Sequence, residues 1–230
     1  MNTNPKLPTL SEFVLARIAQ SGTDRFWTVS DFHDSGWSAR SIDRTLLRLA
    51  ESGKLRRVRH GLYWHGRPTA FGMTLPDDLS VAARVADVAG TGPAGLSAAN
   101  ELGLTTQVPG LTLVAAPRRP PSPMATVRFV DRAGRRARAT QRLSPTEVAL
   151  LEVLGDWDEV VDAPAEARDR LVSLIHSGTV RPDRLAAASE TEPANVRGRL
   201  RALLHDADEA AAANRVRQPS GRVAAMLALP

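Results

Sequence analysis

Apolar residues recur at helical spacing near the start of the chain. Phe13, Leu15, Ile18 and Ala19 predict a first helix over Leu10–Gln20 with these four residues toward a core. Thr28 and Asp31 have the spacing of a capping box, so a short second helix is expected, carrying Phe32 and stopping by Gly36. A third helix is expected from Ser38, whose hydroxyl can accept from an early backbone N–H. Ile42, Leu46, Leu49 and Ala50 form its apolar stripe. Ser41, Arg44, Thr45 and Arg48 fall on the opposite face, with Arg40 at the start, and Gly53 is suited to the cap. The period then shortens. KLRRVR and LYW flank His60-Gly61 and predict a hairpin; Leu55 and Val58 do not share parity, so a bulge at Arg56–Arg57 is expected.

Gly66, Pro68, Gly72 and Pro76 then mark a domain boundary. Beyond it, DDLSVAARVADVAG predicts a helix with Leu79, Ala82, Ala83 and Ala86 along one face. TGPAGLSAANELGL predicts a glycine-rich loop entering a helix that ends at Gly103. TLVAAP and TVRFV suit short strands joined by a proline-stiffened loop. From Ser144 and Pro145, placed as N-cap and first helical residue, the pattern is helical again: SPTEVALLEVL, AEARDRLVSLIHS, RPDRLAAAS and PANVRGRLRALLHDA. The expected organisation is a flexible arm at 1–9, one domain at 10–67, an α+β domain at 77–208 with a small sheet and mostly helices, and a partly ordered alanine-rich tail at 209–230.

Charge adds function to this outline. From Ser38 to Arg67 eight cations oppose Asp43 and Glu51, a net +6 in a chain whose total is +5. Helix, turn, basic helix and basic hairpin is the layout of a winged helix-turn-helix, and the excess charge sits where that layout meets phosphate. The candidate DNA-binding residues are Arg40, Ser41, Arg44, Thr45 and Arg48 on the helix, and Lys54, Arg56, Arg57, Arg59 and His60 on the hairpin. The helix would enter the major groove while the hairpin followed the backbone or the minor groove. One such module offers a small interface, so pairs of molecules on inverted half-sites are expected. The alternative is a solvated helix face in a chain where Lys6 and Lys54 are the sole lysines among 30 basic residues.

A second cluster runs from Arg118 to Arg142, where eight arginines face only Asp131. Arg118, Arg119, Arg135, Arg136 and Arg138 are the candidates for a second basic surface; a solvated strand edge is the alternative. Trp27, Trp37, Trp64 and Trp157 read as packing residues rather than base platforms.

No cysteine is present, so disulfides and thiolate metal sites are excluded, and no apolar run approaches the roughly 20 residues of a membrane span. The first residues lack a signal peptide's apolar core, so a cytoplasmic protein without membrane partners is expected. GTGPAG lacks the G-K-[ST] of a phosphate loop. The five histidines have no metal-ligand spacing, and no serine sits in a nucleophile elbow. Neither catalytic residues, metal nor cofactor is expected.

Two segments in this order, LRRVRHGLYW (Leu55–Trp64) and GPAGLSAANELGLTTQVP (Gly92–Pro109), resemble the AbiEi-type antitoxins of type IV toxin–antitoxin, or abortive-infection, systems. The first is similar to that family's wing, although His60 stands where an arginine is expected. The second is similar to the start of its C-terminal domain. The resemblance implies a repressor that binds inverted repeats in its own promoter. It also implies a C-terminal domain that counteracts a nucleotidyltransferase-like toxin, without requiring a stable complex with it. Two other readings fit the residues: a stand-alone winged-helix regulator, and a module that neutralises a toxin by protein contact alone.

Overall fold

A computed structural model of the chain describes residues 8–119 and 121–219; most of the expected arm and the end of the expected tail lie outside them. The fold is mixed α+β and divides after Asp77 into two compact units.

The first unit begins with α1 (Leu10–Gln20), fixed by a reciprocal box in which Glu12 N donates to Thr9 Oγ1 and Thr9 N donates to Glu12 Oε2. Its buried residues are Val14 and Ile18, while Ala19 is exposed, so the inward face is turned slightly from the expected one. Strand β1 (Arg25–Trp27) follows. The expected second helix is a kinked 3₁₀ segment, Val29–Ser35, with Phe32 off helical geometry and Gly36 at φ 78°. Asp31 Oδ2 accepts from both Thr28 N and Thr28 Oγ1 at 2.7 Å, which fixes its start. Arg17 clamps α1 to this segment through two bonds to Asp34, at 2.5 and 3.0 Å.

Helix α2 (Ala39–Glu51) starts at the Ser38 cap and ends in a Schellman turn. Lys54 N donates to Leu49 O and Gly53 N to Ala50 O, with Gly53 in the left-handed region at φ 74°. Strands β2 (Arg56–Arg59) and β3 (Leu62–His65) form the hairpin, and β1 adds to β3, giving the antiparallel order β1-β3-β2. The register shifts between Arg57 and Arg59, so the bulge falls at Val58, one residue later than expected. Val14, Ile18, Trp27, Phe32, Ile42, Leu46, Leu49, Leu55 and Tyr63 make this unit's core. The glycine–proline stretch expected to mark a domain boundary forms a small hairpin, β4 (Pro68–Thr69) and β5 (Gly72–Met73), at the end of the first unit.

In the second unit, α3 (Asp78–Ala86) buries Val81, Ala82 and Ala86; Ala83, expected inward, is exposed. Strand β6 (Gly92–Pro93) leads into α4 (Gly95–Glu101). Strands β7 (Thr112–Ala116) and β8 (Val127–Asp131) run parallel, and β6 pairs antiparallel with β7. The remainder is helical: α5 (Ala137–Thr140), α6 (Pro145–Gly155), α7 (Trp157–Val160), α8 (Pro164–His176), α9 (Pro182–Ala188), α10 (Ala194–Asp206) and α11 (Ala210–Arg215). The last helix lies in the stretch expected to be partly ordered, and its Ala212 and Ala213, with Val216 beyond, are buried in the core.

Helix α6 is buried on every side from Glu147 to Leu154, which makes it the unit's axis, against α4, α10, α7 and β6. Two carboxylates therefore enter a dry interior and must be paired there. Glu147 accepts from Arg181 N and Nε at 3.0 and 2.7 Å. Glu152 takes Arg138 Nη1 at 2.6 Å, Arg135 Nη1 at 2.8 Å and Arg132 Nη2 at 2.9 Å; Arg138, itself 0% exposed, also clamps Glu192 at 2.6 and 2.9 Å. Burial alone would raise both α6 carboxyls. Hydrogen bonds and charge from the surrounding guanidiniums reverse this and hold them below their ordinary value.

Removing Arg138 takes from Glu192 its two-bond clamp and from Glu152 one of three arginines, so Arg138→Ala should cost about 3–5 kcal/mol in urea denaturation. A loss of about 1 kcal/mol or less, the worth of an exposed pair, would show that the other arginines suffice. Acid should act on the same network. With folded pKa values below the unfolded ones, the unfolded chain binds more protons as pH falls through the ordinary carboxylate range. The contribution of Glu147 and Glu152 is complete above that range and lost below it. Thermal midpoints should be level from neutrality to about pH 5 and then decline.

Candidate nucleic-acid interface

The α2 stripe decides what that helix presents. Ile42, Leu46 and Leu49 are buried as expected, and Thr45 joins them at 2% exposed, donating its hydroxyl to Ser41 O at 3.0 Å. Thr45 is therefore a core residue and leaves the set of outward-facing candidates. A threonine hydroxyl satisfied by its own helix can be buried at little cost. Ser41 is half-buried; its backbone N–H and its hydroxyl both meet Ser38 Oγ, at 3.2 and 2.9 Å.

Arg40, Arg44 and Arg48 are exposed and four residues apart, so they form one row along the helix. Like charges at this spacing repel by about 0.2–0.5 kcal/mol per pair. Among the described residues no carboxylate comes within ion-pair distance of any of the three. The same holds for Lys54, Arg56, Arg57 and Arg59, all exposed, the arginines along edge strand β2. Arg57 Nη2 donates to His60 Nδ1 at 3.1 Å beside the turn, where Gly61 takes φ 72°. Across the hairpin from Arg57, burial first and the charge of Asp43 second push the Tyr63 phenol up, with Arg57 opposing. Arg67 is not free, since its Nε lies 3.0 Å from Asp24.

The second cluster resolves differently. Arg135 and Arg138, two of its five candidates, turn inward with Arg132 onto Glu152 and Glu192, so they are structural cations and form no basic surface. Arg118, Arg119 and Arg136 are exposed, as are Arg128 and Arg142.

The glycine-rich run serves close packing. A Cβ on Gly92 would lie 2.7 Å from Val148 Cβ, and one on Gly90 would lie 2.5 Å from the Arg138 carbonyl carbon. Trp27, Trp64 and Trp157 are buried, and Trp37 packs on Phe13 with ring centres 5.1 Å apart. Among the described residues no group of three or more histidine or acidic side chains could hold a metal ion, and no helix is long and apolar enough to cross a membrane. Phe71, the exposed tip of the β4–β5 turn, leaves no signal in the sequence pattern. Two strands of two residues are too short for a periodic signal, and only the Gly72 after the aromatic hints at a turn.

The model of a family of unknown function, DUF6088, matches residues 15–119. No curated protein matches the chain. Among solved structures, the crystal structure of the RV2827C protein from Mycobacterium tuberculosis is similar at 18% identity and a TM-score of 0.46, over 96% of this chain and 83% of that one.

If Thr45 is core and the arginine row is surface, stability should separate them. Thr45→Ala should lower unfolding free energy by about 1 kcal/mol, and Arg44→Ala should leave it within about 0.5 kcal/mol of the parent. Equal losses in urea denaturation would contradict this orientation of α2.

Proposed function

We propose that the first unit is a winged helix-turn-helix and that the chain binds promoter DNA through it, repressing its own operon. The observation that carries this is the arginine row of α2 together with the cations of β2: exposed, and without a carboxylate to meet them among the described residues. In this reading α2 lies in the major groove, where Arg44 and Arg48 meet base edges, Ser41 flanks them and Arg40 meets phosphate. Lys54, Arg56, Arg57, Arg59 and His60 follow the adjacent backbone. Two molecules occupy an inverted repeat, because one module of this size covers a small footprint.

The second unit, in the same proposal, counteracts a nucleotidyltransferase-like toxin encoded beside this chain. That half rests on the likeness of Leu55–Trp64 and Gly92–Pro109 to AbiEi-type antitoxins. Growth rescue on co-expression with the neighbouring reading frame tests it. Rescue is expected, and its failure would reduce the proposal to a stand-alone regulator.

Binding to DNA from upstream of the gene tests the first half. Arg44→Ala and Arg48→Ala should each remove preference worth about 1–3 kcal/mol at one base pair. Changing Arg56, Arg57 and Arg59 to glutamine should weaken all duplexes alike, and flatten the slope of log K against log salt by about 0.9 per lost phosphate contact. Unchanged affinity in every variant would remove the assignment of α2 and β2.

A further inference from the structure

The β4–β5 hairpin holds an aromatic ring out in water on a backbone that is tied down at both ends. Phe71 is 102% exposed at its tip, in the two-residue turn between Thr69 and Gly72. Inside the turn, Thr69 Oγ1 donates to Gly72 O at 2.8 Å and accepts from Phe71 N at 3.2 Å. At the base, Arg67 N donates to Thr74 Oγ1 and Thr74 N to Arg67 O, both at 2.9 Å, and the Trp64 indole N–H donates to Thr74 O at 2.9 Å. Asp24 completes the anchor, accepting from Thr74 Oγ1 at 3.3 Å and meeting Arg67 at 3.0 Å. Gly66 lets the strands close there, because a Cβ would fall 2.5 Å from Thr74 O. A ring that merely lacked a place in the core would not require this scaffold.

The hairpin borders the charged face of the first unit. Gly72 and Met73 of the hairpin share one open hollow with Leu47, Ala50 and Glu51 of α2 and with Arg56 and Arg57 of β2. Phe71 is thus one residue from a hollow that two arginines and one carboxylate, Glu51, share, and among the described residues neither arginine has a carboxylate within ion-pair distance. A second copy docked symmetrically through this face would bring the arginines of both copies together, whereas duplex DNA offers phosphate to the guanidiniums and a base step to the ring. Apolar wedges flanked by cations unstack and kink duplexes in this way.

We propose that Phe71 is a wedge that enters a base step next to the site read by α2 and bends the duplex. This rests on the DNA-binding reading above. The test uses the full chain and the duplex from upstream of its own reading frame, with single 2-aminopurines at successive adenine positions and a dye pair at the duplex ends. Thermal melts of Phe71→Ala should match the parent, since the ring contributes nothing to the core. Phe71→Ala should bind about ten-fold more weakly, the scale of one aromatic–base stack. It should also lose the local 2-aminopurine rise and the bend while keeping the parent's base preference, and Phe71→Trp should restore all three.

If the parent binds this duplex and Phe71→Ala matches it in affinity, fluorescence and bend, the wedge is wrong and the DNA-binding reading stands. If the parent itself fails to bind, both fall. Loss of self-association in Phe71→Ala during sedimentation without DNA, with DNA bending unchanged, would assign the ring to a second copy and overturn the proposal.

Discussion

A guanidinium keeps its proton at any pH a folded protein meets, so each arginine must find an anion or remain in water. In the second unit, Glu147, Glu152 and Glu192 take up Arg181, Arg132, Arg135 and Arg138, fixing α6 at the centre and tying α5 and α9 to it. In the first unit, Arg17 and Arg67 have Asp34 and Asp24 as partners, while the cations of α2 and β2 have no carboxylate partner among the described residues. The same residue type thus builds one unit from within and leaves the other with a charged face.

The parts of the fold set by local chemistry are legible in the chain itself. Ser38, Gly53, Ser144, Pro145 and Gly103 each mark an end at which a neighbouring backbone group needs a partner or a left-handed turn, and the helices end there. The stripe of α2 is legible because Ile42, Leu46 and Leu49 repeat at the helical period. Thr45 escapes that pattern because its hydroxyl makes it polar by type, while the Ser41 carbonyl satisfies it within the helix.

What depends on distant partners is not legible in this way. The Arg118–Arg142 segment counts as strongly basic when only its neighbours are considered. Yet Arg138 finds Glu152 14 residues away and Glu192 54 residues away. Local charge density therefore overstates a basic surface wherever a later helix brings buried carboxylates. It does not overstate the α2–β2 face, whose exposure follows from a stripe in the same helix and from the edge position of β2. Likewise, the alanine-rich stretch after Asp208 has little pattern of its own, and α11 owes its burial to packing on α10 and α9.

Two hairpins and one helix of the first unit therefore carry what the interior does not absorb: a row of arginines, a basic edge and, at Phe71, an exposed ring. The direct test is to label arginines with a dicarbonyl reagent in the full chain, free and bound to its upstream duplex, and map modification by mass spectrometry. The account predicts that Arg40, Arg44, Arg48, Arg56, Arg57 and Arg59 react in the free chain and are protected by DNA. Arg138 should be unreactive in both states. Unchanged labelling of the α2 and β2 arginines in a chain that does bind the duplex would contradict the account at its centre.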